Sequence, residues 1–192
     1  MNQRISLTAQ AHSIILKHLG SGECAIDATV GNGHDTLFLA QQVGSTGTVF
    51  GFDIQQQAIE STQTRVNDNN CSNITQLFQT SHANIAQSIP LNFHGKIKAI
   101  MFNLGYLPGS DKSIITQTES TLNALAHAIN LLAKPGLLTI AAYPGHSGGK
   151  SETDAIKQWL EQLPSDQYST QTIYSSEKET APRLYIIKKL LR

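Results

Sequence analysis

Apolar residues follow two alternating patterns along this chain, and the alternation predicts its architecture. Short apolar runs are typical of buried strands, whereas apolar residues three or four positions apart are typical of helices that cover a sheet. Ala11, Ile14, Ile15 and Leu19 have helical spacing and predict a first helix over 8–19. The other predicted helices are 37–43, 55–69, 116–133 and 152–163, and the predicted strands are 24–28, 48–52, 74–78, 98–102, 137–143, 168–174 and 183–188.

The order of these elements predicts an α/β fold. Strands that alternate with helices favour a mostly parallel sheet with helices on both faces. The last two strands are not separated by a helix, which predicts an antiparallel hairpin at one edge. We therefore expect a single domain over 1–192 with a Rossmann-like, seven-stranded sheet. Ligands of such sheets bind at the carboxyl ends of the strands, so the residues that follow strands are the functional candidates.

Charge and composition exclude several classes of protein. The 14 basic and 14 acidic residues give zero net charge, which excludes a polycation that binds nucleic acid over its whole surface. Cys24 and Cys71 have no CxxC spacing, so neither a disulfide framework nor a zinc ribbon is expected. The sequence shows no signal-peptide pattern and no long apolar window, which favours a cytoplasmic protein without a membrane segment.

A glycine-containing loop follows the first predicted strand. It begins at Asp27 and contains Gly31 and Gly33, which permit a tight turn and the close approach of a ligand. Asp53 ends the second strand, 20 residues beyond Gly33, where a carboxylate can accept both hydroxyl groups of a ribose. Asp35 or Thr36 can cap the next helix.

Several ligands are compatible with this loop. A dinucleotide fold requires GxGxxG, but Thr36 occupies the third glycine position and Asp27 would repel a pyrophosphate. An acid at this position suits a ligand with an amino group and a sulfonium, so the loop with Asp53 looks like the S-adenosylmethionine site of class I methyltransferases. The alternative is a structural turn with Asp53 at the surface.

A second glycine-rich segment nearly matches a phosphate-binding loop. Residues 144–151 read PGHSGGKS, but Pro144 replaces the first glycine and removes a backbone donor. No strand-end acid clearly holds magnesium. The segment therefore weakly supports an NTPase.

The loop after the fourth strand carries the candidate catalytic residues, Asn103 and Tyr106. Asn-x-x-Tyr resembles the (Asn/Asp/Ser)-Pro-Pro-(Tyr/Phe) signature of methyltransferases that act on amino nitrogens. The Asn103 oxygen and the Leu104 carbonyl can accept the N–H bonds of an amine, which orients its lone pair and stabilises its developing charge. Tyr106 can stack on a base. The alternative is a turn with Tyr106 packed on the surface.

Three segments together carry a resemblance to a known family. They are DATVGNGHDT at 27–36, FNLGYLPG at 102–109 and YPGHSGG at 143–149. The chain resembles, over about residues 5–189, the bacterial family labelled "putative rRNA methylase". The resemblance implies methylation of the aminomethyl group of 5-aminomethyl-2-thiouridine at the tRNA wobble position. Methylation of rRNA or of a small-molecule amine, and donor binding without turnover, remain alternatives.

The resemblance also implies roles for residues, all numbered in this sequence. S-adenosylmethionine would contact the loop and strand ends: Asp27, Gly31, Gly33, His34, Asp35, Asp53, His82 and Asn103. His146 is either a proton acceptor, a phosphate contact or a structural residue. Lys112, Lys150 and Arg183 are candidate contacts with RNA or are solvated charges.

The sequence also supports expectations about metals and partners. The seven histidines show no metal-ligand spacing, so no metal is expected. The expected partner is a tRNA anticodon stem-loop, and a homodimer would supply a further basic face. Residues 97–192 carry a net charge of +2 and residues 1–96 a net charge of −2, so the cationic excess falls in the half with the proposed substrate loops.

Overall fold

Seven strands form one sheet in a computed structural model of the chain, which describes residues 6–105, 115–145 and 148–191. The strand order is β3-β2-β1-β4-β5-β7-β6. All neighbouring strands are parallel except β7, which runs antiparallel to both β5 and β6. The sheet confirms the predicted α/β fold and its edge hairpin, whereas the single-domain boundaries 1–192 stay a prediction.

The helices and strands alternate as the hydrophobic pattern predicts. The strands are β1 Cys24–Asp27, β2 Thr48–Asp53, β3 Thr75–Gln79, β4 Ile97–Asn103, β5 Leu132–Ala142, β6 Tyr168–Tyr174 and β7 Arg183–Lys189. The helices are α1 Leu7–Ile15, α2 His34–Val43, α3 Gln56–Asp68, α4 Ile85–Ser88, α5 Thr118–Leu131 and α6 Gly149–Glu161.

Two cores cover the two faces of the sheet because successive strand residues point to opposite sides. Ile26 and its neighbours Phe50 and Ile100 pack with residues of α4, α5 and α6. Ala25 and the residues beside it pack with α1, α2 and α3. The cores leave the carboxyl ends of the parallel strands accessible, and this is where the functional candidates lie.

The largest difference from the predicted elements is at the start of β5. The predicted helix over 116–133 ends at Leu131, and the strand predicted over 137–143 already begins at Leu132. Its pairing with β4 shifts between Ile97 and Ala99. A local irregularity of this kind accommodates Pro135, which cannot donate to a strand ladder. The short α4 was not predicted, since four residues are too few to show helical periodicity.

Among the described residues, each helix falls short of a membrane-spanning segment in length, in apolarity or in both.

Candidate active site

The carboxyl ends of β1, β2 and β4 open into one cleft of about 1390 Å³. This volume is ample for a ligand of nucleoside size together with a second reactant. The walls of the cleft come from the β1–α2 loop, the end of β2, the turn after β3, the end of β4, the first turns of α5 and the loop after β5. Predicted site residues that line it are Gly31, His34, Asp35, Asp53, His82 and Asn103.

The glycine loop is held in place by α3. Gly31 and Gly33 have positive φ angles of 50° and 77°. A Cβ atom at Gly33 would lie 2.8 Å from the Thr62 hydroxyl oxygen, so only glycine lets the loop approach the helix this closely. The Thr62 hydroxyl donates to the Gly31 carbonyl at 3.1 Å, and Arg65 Nε donates to the Asn32 carbonyl at 2.7 Å. Gly33 therefore serves helix packing, whereas Gly31 faces the cleft.

Asp53 lies where a strand-end acid was predicted. Its carboxylate accepts hydrogen bonds from the backbone N–H of Gly31 at 3.1 Å and of Gln55 at 2.9 Å. These bonds fix the carboxylate in a partly exposed position, and two oxygens retain lone pairs for further donors. The next side chain, Ile54, is 55% exposed at the same cleft. A carboxylate beside an apolar surface suits a ribose that carries a planar base.

Asp27 lies beneath the loop and does not line the cleft. Its side chain is fully buried, and it accepts hydrogen bonds from the Thr36 hydroxyl at 2.6 Å and from the Thr29 N–H at 3.2 Å. Burial, reinforced by the charge of nearby Asp35, raises the pKa of Asp27 to about 7. In this conformation the residue joins the loop to the first turn of α2.

The substitution Asp27→Asn tests this burial. The pKa is about 7 in the folded state and 3.8 without the burial, so the folded state holds the proton more strongly. The free energy of unfolding of the parent therefore falls as the pH rises from about 4 to about 7 and then levels off. Asparagine does not titrate, so the variant should gain stability relative to the parent more at pH 8 than at pH 5, measured by urea unfolding. An equal difference at both pH values would show that the pKa of Asp27 is near its ordinary value. The control is Asp68→Asn, at an exposed position.

Asp35 faces the cleft and is held by the leading helix. Its Oδ1 atom lies 2.6 Å from His12 Nε2, and its side chain is only 10% exposed. The His12 ring stacks on Phe38 with 3.7 Å between the ring centroids. Tyr143 lines the cleft nearby, and burial, together with the Asp35 charge, raises the pKa of the Tyr143 hydroxyl. Sequence reasoning missed His12, because α1 also carries other polar residues and nothing in its pattern singles out the histidine.

Asn103 ends β4 directly beside the glycine loop. Its backbone N–H donates to the Thr29 hydroxyl at 2.7 Å, and the next N–H, of Leu104, donates to the Ala141 carbonyl at 2.9 Å. These bonds join the end of β4 to the loop after β1 and to β5. The predicted residues Tyr106, Lys112 and His146 lie outside the described residues.

His82 is a neutral, buried residue at the cleft. Burial lowers the pKa of its ring to about 4, although the ring donates to the Ala28 carbonyl. It packs edge-on against Phe102 with 5.8 Å between the ring centroids. Its Nε2 atom has no hydrogen-bond partner among the described residues. At neutral pH this nitrogen is an acceptor and not a cation.

The two described candidates for RNA contacts differ in exposure. Lys150 has a 66% exposed side chain and lies 2.9 Å from the Glu179 carboxylate. Arg183 is only 9% exposed, donates to the Glu179 carbonyl at 2.6 Å and lies over the Tyr174 ring. Lys150 therefore presents its charge to solvent, whereas the structure does not bring Arg183 to the surface.

The charges of the cleft are acidic over the described residues. Asp35, Asp53 and Glu119 line it, and none of its described lining residues is lysine or arginine. The described residues also contain no group of three or more histidine, cysteine, aspartate or glutamate side chains that could hold a metal ion. The lining favours a neutral or cationic reactant over a phosphate.

Comparisons with known proteins agree with this geometry. Residues 49–189 match the family described as "Putative rRNA methylase". The chain is 36% identical over 169 residues to a chloroplastic tRNA (mnm(5)s(2)U34)-methyltransferase of Arabidopsis thaliana, an alignment that covers 84% of this chain. The chain spans 61% of the length of that relative.

Solved structures share the whole architecture. A protein from Clostridium thermocellum described as a "putative rRNA-methylase" superimposes with a TM-score of 0.91 at 35% identity, covering 98% of this chain and 100% of that one. A "putative methyltransferase" from Streptococcus mutans in complex with SAH superimposes with a TM-score of 0.85 at 30% identity, with the same coverage. The chain has the class I methyltransferase fold and belongs to the rRNA methylase family.

Proposed function

We propose that this protein is an S-adenosylmethionine-dependent methyltransferase of the aminomethyl nitrogen of 5-aminomethyl-2-thiouridine at the tRNA wobble position. The product would be 5-methylaminomethyl-2-thiouridine. The observation that carries the proposal is the placement of Asn103, a hydrogen-bond acceptor for an amine, within one hydrogen bond of the glycine loop. The name of the Arabidopsis relative supports the choice of nucleoside.

The donor half of the cleft fits S-adenosylmethionine. Asp53 would accept the ribose hydroxyls, and the exposed side chain of Ile54 would cover one face of the adenine. Gly31 lets the ligand approach the loop, while Asp35 places a carboxylate for the cationic amino group. Asp27 would support the loop from beneath through its bonds to Thr36 and Thr29, because its buried side chain does not line the cleft.

The acceptor half of the cleft fits an amine. When bound, S-adenosylmethionine would supply a methyl group on a sulfonium: the lone pair of the neutral amine would form the N–C bond in line as the C–S bond breaks, S-adenosylhomocysteine would leave, and the secondary ammonium formed could then release its proton to solvent. The side-chain oxygen of Asn103 would accept an N–H bond of the amine and so direct the lone pair away from itself. The same oxygen would stabilise the positive charge that develops on the nitrogen.

The electrostatics of the cleft distinguish the base from the RNA backbone. The described lining residues include carboxylates but no lysine or arginine. The cleft would therefore admit an aminomethyl group and repel phosphates. The backbone would therefore remain outside the cleft, and exposed Lys150 is a candidate to contact it there. A base turned out of a single-stranded loop meets this requirement, because its phosphates stay outside.

Mass spectrometry of tRNA nucleosides tests the proposed function. The purified protein, S-adenosylmethionine and tRNA bearing 5-aminomethyl-2-thiouridine should give a nucleoside heavier by one methylene, 5-methylaminomethyl-2-thiouridine. Matched reactions with tRNA bearing unmodified wobble uridine, with rRNA and with simple primary amines should give no product.

Each other result contradicts the proposal in a specific way. Methylation of rRNA or of small amines instead of tRNA would identify a different acceptor for the same chemistry. Tight binding of S-adenosylhomocysteine with no methylation of any substrate would indicate a donor-binding module.

A further inference from the structure

A carboxylate outside the donor site is buried beneath the acceptor side of the cleft. Glu152 lies in the first turn of α6 and is 3% exposed. Its two oxygens accept hydrogen bonds from different hydroxyls, Oε1 from Thr121 at 2.7 Å and Oε2 from Thr116 at 2.9 Å. The ion pairs of the described residues do not include Glu152. A buried carboxyl group is costly unless its oxygens are hydrogen-bonded, and each oxygen of Glu152 has a hydroxyl donor.

One of these hydroxyls connects the carboxylate to the end of β4. The Thr116 hydroxyl oxygen also accepts the N–H of Gly105 at 3.1 Å, and the Thr116 N–H donates to the Gly105 carbonyl at 3.0 Å. Gly105 lines the cleft two residues after Asn103. The chain of contacts thus runs from Glu152 through Thr116 to the backbone beside the predicted amine acceptor.

The other end of this chain of contacts is anchored in the sheet. The Thr153 hydroxyl, next to Glu152, donates to the Gly149 carbonyl at 2.6 Å and so secures the first turn of α6. The Tyr185 hydroxyl on β7 donates to the Thr153 carbonyl at 3.2 Å. These bonds hold Glu152 against a rigid element, so its position can determine that of Thr116.

We propose that the Thr116 hydroxyl, oriented by Glu152, is a positioning group for methyl transfer. It fixes the backbone of Gly105, and with it the end of β4 that carries Asn103. This inference rests on the proposed function, because it assumes that Asn103 binds the amine that is methylated. The Thr121 hydroxyl bonds to the other carboxylate oxygen and has no contact with Gly105 among those described, so it provides a matched control.

The experiment compares Thr116→Val, Thr116→Ser and Thr121→Val in the full chain. Each valine removes one hydroxyl donor to the same carboxylate, whereas serine retains it. Steady-state kinetics give kcat and KM with the modified tRNA, calorimetry gives the affinity for S-adenosylhomocysteine, and NMR gives the exchange rate of the Gly105 amide proton.

The expected result is specific to Thr116. Thr116→Val should lower kcat by up to about 100-fold, because small displacements of a reacting group carry a large penalty. It should also accelerate Gly105 exchange and leave the affinity for S-adenosylhomocysteine unchanged. Thr116→Ser should restore kcat and exchange, and Thr121→Val should keep both near the parent values even if its melting temperature falls.

Two outcomes would overturn the inference. One is an equal fall of kcat in both valine variants in proportion to their melting temperatures, which would indicate a purely structural carboxylate. The other is unchanged Gly105 exchange in Thr116→Val. If the parent protein does not methylate this tRNA, the proposed function fails, while amide exchange still decides whether Thr116 fixes Gly105.

Discussion

Replacement of Asp53 by alanine is expected to weaken the binding of S-adenosylhomocysteine by roughly 10- to 100-fold. A hydrogen bond to a charged group contributes about 1.5–3 kcal/mol, and each 1.4 kcal/mol corresponds to about tenfold in affinity. The Asp53 carboxylate is already oriented by the N–H groups of Gly31 and Gln55, so a ribose would not have to order it. Isothermal titration calorimetry measures the change.

Asp53 also supports the glycine loop, so the control must separate ligand contact from loop support. An S-adenosylhomocysteine analogue without the 2′-hydroxyl should bind the parent more weakly than the natural compound does. The same analogue and the natural compound should bind Asp53→Ala with similar affinity. Asp68→Ala, at an exposed position on α3, should match the parent. If Asp53→Ala discriminates between the two ligands as strongly as the parent does, then Asp53 does not contact the ribose.

The position of Asp53 was predictable because it depends only on local pattern and on sheet geometry. An apolar run that ends in an acid indicates a strand, and parallel strands bring their carboxyl ends to one edge. The same reasoning placed Asn103 beside the glycine loop, where its N–H meets the Thr29 hydroxyl. Both predictions needed only that the carboxyl ends of parallel strands share one edge of the sheet, and no detail of side-chain packing.

The orientation of Asp27 shows the limit of that reasoning. Its strand-end position predicts proximity to the cleft, but the Thr36 hydroxyl and the Thr29 N–H hold its carboxylate below the loop. The loop path decides between a buried and a ligand-facing carboxylate, and a sequence pattern does not specify that path.

Pairs of polar residues far apart in the sequence were also inaccessible to pattern reasoning. His12 reaches Asp35 across 23 positions, and Glu152 reaches Thr116 across 36. The sequence around each of these residues does not indicate its distant partner, and only the packing of separate elements brings the two together. Likewise, charge alone did not distinguish exposed Lys150 from Arg183, which β7 places in a buried position.

Replacement of Asn103 by alanine should lower kcat by about 10²- to 10³-fold while the affinity for S-adenosylhomocysteine stays near the parent value. Removal of one preorganised polar group that faces developing charge has an effect of this size on turnover. The bond that places residue 103 beside the loop comes from the backbone N–H to the Thr29 hydroxyl, so alanine keeps it. The substitution therefore removes the proposed amine acceptor without releasing the strand end.

Single-turnover methylation of the modified tRNA, with calorimetry of donor-product binding, measures both quantities. Asn130→Ala is the matched control, because it removes an exposed amide that bonds to the Ala126 carbonyl within α5. Asn103→Asp retains an oxygen acceptor and should recover part of the lost rate. An equal loss of affinity and turnover in Asn103→Ala would instead mean that the side chain supports the donor site. A loss confined to turnover, partly recovered by aspartate, is the result that only an acceptor at the amine explains.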